Sequence, residues 1–101
     1  MSKEIWISTG FFHRQDTKQL KERLGINSLL CLHQFWCYAA ENFPDGILTG
    51  VSVEDIENST EWDSKPGDFV GALLETGFIK KTENGFSVVF GAVHFEMPDQ
   101  D

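Results

Sequence analysis

Along this chain the spacing of apolar positions switches between the alternation of strands and the longer step of helices, and the switches fall at glycines, prolines and capping residues. Residues 4–9, Glu-Ile-Trp-Ile-Ser-Thr, are strand formers that stop at Gly10, so a short strand or extended entry is expected, followed by Phe11 and Phe12 as packing anchors. Asp16 with Gln19 three residues on reads as a capping box. Leu20 and Leu24 share a face and Gly25 is a natural stop, which predicts a short first helix. Asn27 or Ser28 is expected to cap a second helix running to about Asn42. Its apolar positions (Leu29, Leu30, Cys31, Leu32, Phe35, Trp36, Tyr38, Ala39, Ala40, then Phe43) cover most of the circumference, the pattern of a central buried helix.

Pro44-Asp45-Gly46 predicts a tight turn and Ile47-Leu48-Thr49 a short strand. Ser52 and Asp55 match a capping box opening a helix from about Val53 to Ser59, with Trp62 anchoring the turn that follows. Pro66 suits the first position of another helix, whose stripe is Phe69, Val70, Leu73 and Leu74 and whose stop is Gly77. Residues 78–82 and 86–90 flank Glu83-Asn84-Gly85, and Asn-Gly is a strong hairpin signal. Ala92 to Phe95 either extend a strand or lie over the core. The fold class expected is therefore α+β, with about four helices, a short N-terminal strand and a C-terminal β-hairpin. The later elements follow the order of a winged helix-turn-helix: a helix pair at about 53–76 and a β-wing at about 78–90, with strand 47–49 pairing to the wing.

Length and composition narrow the picture without changing it. At 101 residues, 41% hydrophobic and 13% aromatic, the chain fits one domain at 1–95 with an acidic, frayed tail at 96–101, and it is too apolar to be wholly disordered. No apolar run approaches the roughly 20 residues that cross a bilayer, and the start carries no signal-peptide core, so a cytoplasmic protein is expected. Cys31 and Cys37 lie six residues apart. On a helix that is about 9 Å along the axis, too far for a disulfide, so two buried free thiols are expected. The formal net charge of −8 disfavours non-specific attraction to phosphate backbones, so any nucleic-acid contact must rest on a local basic patch.

The candidate sites are few. The strongest basic cluster is His13, Arg14, Lys18, Lys21 and Arg23, and Lys65, Lys80, Lys81 and the hairpin tip Asn84 extend the set of possible nucleic-acid contacts. Helix 66–76, placed where a groove-reading helix would lie, has Asp68, Glu75 and Thr76 as its polar residues and none of the Arg, Lys, Asn or Gln that base readout favours. Trp6, Phe11, Phe12, Phe90 and Phe95 are more aromatic surface than one small domain readily buries, and any surplus would form a protein interface or a homodimer contact. His33 and Cys37 stand at i and i+4, but the spacing offers no four-ligand zinc site. No phosphate loop, nucleophile elbow or chelating histidine pair is present, so no catalytic residue, cofactor, metal or small-molecule substrate is expected.

The stretches FWCYAAENFPDGILTGVSVEDIENSTEW and FVGALLETGFIKKTENGFSV resemble the N-terminal winged-helix domain of phage and prophage replication proteins of the replisome-organiser type. The matching positions include Trp36, Ala39, Ala40, Glu41, Pro44, Asp45, Gly46, Leu48, Gly50, Asp55, Ile56, Trp62, Phe69, Val70, Ala72, Leu73, Gly77 and Phe78, within roughly residues 29–90. The resemblance implies a non-enzymatic binding domain acting at the initiation of DNA replication, in a phage-derived protein or a host relative of one, through contacts with DNA and/or replisome proteins. Two readings stand open beside each other. One is a DNA contact through the basic first helix and the wing. The other is an acidic winged-helix module that binds protein, in a homodimer or with another partner, and does not touch DNA.

Overall fold

The computed structural model describes residues 4–95. The acidic tail expected at 96–101 lies outside the described residues. Strand β1 (Ile5–Ile7) leads through a 3-10 turn (Phe11–His13) into α1 (Gln15–Leu24) and α2 (Asn27–Asn42). Then come β2 (Ile47–Thr49), α3 (Val53–Ser59), α4 (Asp68–Thr76), β3 (Ile79–Thr82), β4 (Gly85–Val88) and β5 (Val93–Phe95). The fold is α+β, with small antiparallel sheets: β1 pairs with β5, Trp6 opposite His94, and a three-stranded sheet has the order β2-β4-β3.

Burial follows the helical stripe on α2, where Leu29, Leu32, Phe35, Trp36, Ala39 and Ala40 are buried. They meet Leu20 of α1, Ile56 of α3, Phe69, Val70 and Leu73 of α4, and the inward residues Leu48, Ile79, Phe86 and Val88 of the sheet. Phe11, Trp36 and Phe78 form an aromatic knot, with Phe11–Trp36 centroids 5.5 Å apart and Trp36–Phe78 6.1 Å, the tilted and edge-to-face geometry that ring quadrupoles favour.

Several local expectations are corrected. Asp16 does not cap α1: the helix begins one residue earlier, and the Asp16 carboxylate is taken by Arg14 and the Thr17 amide. Neither Asn27 nor Ser28 caps α2, because Gly25 and Ile26 already turn the chain and the Ser28 hydroxyl donates back to the Gly25 carbonyl at 2.6 Å. Helix α2 is not buried all round, since Leu30, His33, Gln34 and Cys37 face outward. The thiols are accordingly not buried: Cys31 is half-buried and Cys37 exposed. Pro66 lies ahead of α4, whose N-cap is the left-handed Gly67 (φ 89°).

The hairpin turns on Glu83 and Asn84, and Gly85 pairs with Thr82 inside the ladder. Glycine is required at position 85 because a Cβ there would run into the Leu48 carbonyl of β2. The Ser52–Asp55 capping box forms as expected, each side chain bonded to the other residue's amide at 3.1 Å.

Candidate docking surface

The helix that would read a groove is held by a residue the sequence reading passed over. Glu57 of α3 is buried, and its carboxylate accepts the Gly67 amide at 2.9 Å and the Val70 amide at 3.1 Å. These are amides at the start of α4, where the positive end of the helix dipole points. An anion site that a phosphate would otherwise use is thus filled from within. Trp62 completes the junction by stacking on Phe69 (centroids 5.5 Å apart) and donating its indole N–H to the Lys65 carbonyl at 2.9 Å. The outer face of α4 offers Asp68 and Glu75.

The basic residues divide into committed and uncommitted ones. Arg14 grips Asp16 through two bonds of 3.0 Å, and that contact raises its already high pKa against the opposing effect of burial. Arg23 pairs with Glu75 across α1 and α4. Lys81 lies over the Phe86 ring, 4.9 Å from its centroid, and reaches the Gly85 carbonyl. Lys18, Lys21, Lys65 and Lys80 are exposed and make no side-chain ion pair among the described residues. Asn84 is exposed at the tip, its carbonyl taken by the Gly50 amide at 2.7 Å.

Of the five aromatics expected at an interface, two are core. Phe11 closes the aromatic knot and Phe95 is buried from β5, so neither is available. Phe90 is partly covered, resting on Gly46 and edge-to-face on Phe95 at 4.9 Å. Trp6 and Phe12 are exposed, at 60% and 62%. The structure adds what the aromatic tally missed, the aliphatic neighbours Ile26 (56% exposed) and Leu30 (64% exposed).

Phe12, Ile26 and Leu30, with Ile7, rim a groove of about 360 Å³ whose other lining residues are Phe11, Leu29, Trp36 and His33. The positions Ile26, Leu30 and His33 are i, i+4 and i+7, a second stripe on α2 beside the core stripe. That stripe was visible in the sequence as apolarity around the circumference, but full burial explains such a pattern equally well.

A second hollow of about 250 Å³ adjoins the first across Leu30, which lines both. Its walls are polar and acidic: Asn27, Gln34, Thr60, Glu61, Asp63 and Ser64, with Cys31 and Trp62. The Cys31 thiol is pushed above its ordinary range first by burial and then by the carboxylates of Asp63 and Glu61. Glu61 is held at φ 60°, a left-handed conformation that is costly for a residue with a Cβ.

No model of a protein family, no curated protein and no solved structure matches the chain.

Proposed function

We propose that this chain is a winged-helix domain of a phage-type replication initiation protein, that it is not an enzyme, and that it works by docking protein. The winged-helix reading is supported by the run β2–α3–α4–β3–β4 and by the strand order β2-β4-β3, in which β2 pairs with the second arm of the hairpin. The replication role rests on the resemblance of residues 29–90 to that family. The observation that carries the docking role is the apolar groove beside Leu30, because exposed apolar side chains gathered round a concavity mark contact with another protein.

A second reading, contact with DNA, is favoured by the exposed Lys18, Lys21 and Lys80. Against it stand the net charge of −8, the acidic outer face of α4, and the filled N-terminus of that helix. A titration of the chain with duplex and single-stranded DNA at low and at physiological salt separates the two. Docking of protein alone predicts no saturable binding. Binding that weakens with salt and is lost on changing Lys18, Lys21 and Lys80 to Ala would put DNA contact first.

A further inference from the structure

Resting on the docking role above, we propose that the groove's occupant is a basic amphipathic helix, seated with its apolar stripe on the Leu30 side of α2 and with lysines or arginines along one flank facing Glu61 and Asp63. The two hollows lie on adjacent stripes of α2. Ile26, Leu30 and His33 border the apolar hollow, while Asn27, Leu30, Cys31 and Gln34 border the acidic one. Adjacent stripes on a helix lie about 100° apart, roughly one side-chain length around the surface. A helix laid along α2 with its apolar seam in the first hollow therefore brings its flanking residues over the second. This is how a helix in a groove is read, with anchors at i, i+3, i+4 and i+7 for affinity and flanking charges for partner choice.

Charge complementarity fixes the sign of that flank. Glu61 and Asp63 are exposed, line the same hollow as Cys31, and make no ion pair among the described residues. The chain as a whole, at −8, adds a long-range pull on a cationic segment. A second copy of this chain is the weaker candidate, because two such faces would bring acidic hollow against acidic hollow.

The test uses the full chain and three synthetic peptides of about five helical turns: an amphipathic helix with leucines on one stripe and lysines on one flank, its twin with glutamates replacing the lysines, and a scrambled peptide of the first composition. Affinities are read by calorimetry, and self-association by sedimentation. The proposal expects the lysine peptide to bind about tenfold more tightly than either control, the upper part of the range for two partly exposed ion pairs. It also expects Glu61→Asn with Asp63→Asn to erase that preference. Asparagine tolerates the left-handed backbone at position 61, so the fold is kept. Neutralising the same number of charges elsewhere, with Glu22→Gln and Glu83→Gln, should leave the preference standing.

Equal binding of the lysine and glutamate peptides, with loss on Leu30→Asp, keeps the groove as a docking site and overturns the basic partner. Equal binding of the scrambled peptide reduces the effect to bulk charge and overturns it as well. Self-association abolished by Leu30→Asp makes a second copy the occupant, which also overturns it. If no peptide binds and Leu30→Asp changes nothing, the docking role itself falls.

Discussion

At the residue scale, Glu57 does more than its place in a short helix suggests. Its carboxylate joins α3 to α4 by accepting from two amides at the start of that helix, where backbone N–H groups lack intrahelical acceptors. Hydrogen bonds to a charged group contribute about 1.5–3 kcal/mol each and are not fully additive, so Glu57→Ala is expected to lower unfolding free energy by about 2–4 kcal/mol. A urea titration shows this as a lower midpoint at unchanged slope; a midpoint that does not move would mean that water caps α4 equally well.

Trp36 predicts the opposite kind of result. Its buried indole N–H has no acceptor among the described residues. Trp36→Phe removes a group whose desolvation costs about 1–3 kcal/mol while opening a small cavity of similar cost. The change should be near neutral, against about 3–5 kcal/mol for Trp36→Ala. A large loss in the Phe variant would show that the N–H has a partner.

Cys31 reports the acidic hollow. With Cys37→Ser removing the other thiol, its alkylation should turn on at a pH above that of an ordinary free thiol, because burial, Asp63 and Glu61 all disfavour the thiolate. Glu61→Asn with Asp63→Asn should move that midpoint down. An unmoved midpoint would show that the carboxylates do not act on the hollow.

At the scale of elements, α2 carries a buried apolar stripe and an exposed one beside it. Leu32 is fully buried and Leu30 is 64% exposed, although the sequence presents both as leucines in one apolar run. Leu32→Ala should cost about 2–5 kcal/mol, whereas Leu30→Gln should change thermal stability by less than about 0.5 kcal/mol. Equal losses would mean that Leu30 is part of the core.

The same pair shows what the chain makes legible. The order of elements, the Ser52 capping box, the stops at Gly25 and Gly77 and the central place of α2 follow from local rules, because each depends on residues within a turn or two. The groove does not, since it needs Ile7 and Phe12 to arrive beside α2 from a distant part of the chain. Nor does the need for Gly85, which is set by strand β2 some 37 positions earlier (Gly85 against Leu48) and was read as turn chemistry. Phe11 is the packing anchor expected and Phe95 lies in a strand over the core, but Phe12, expected to anchor beside Phe11, is exposed: which aromatics a core absorbs is a tertiary outcome. Lys81 and Lys80 look equivalent in sequence, and only the pairing of Lys81 with Phe86 separates them.

At the scale of the molecule, charge and shape point the same way. An acidic domain whose two N-terminal arginines are tied to carboxylates, and whose α4 is capped by a glutamate, is poorly equipped to hold a phosphate backbone. It is well equipped to attract a cationic segment and to bury its apolar side. The most direct measurement is a pair of titrations of the isotope-labelled full chain at physiological salt, one with the lysine-flanked amphipathic peptide and one with a DNA duplex, followed by amide resonances. Saturable shifts from the peptide at Ile26, Leu30, Cys31 and Glu61, with no saturable response to the duplex, are the predicted result. Shifts from the duplex along α4 and the β3–β4 hairpin, with α2 silent to the peptide, would contradict it.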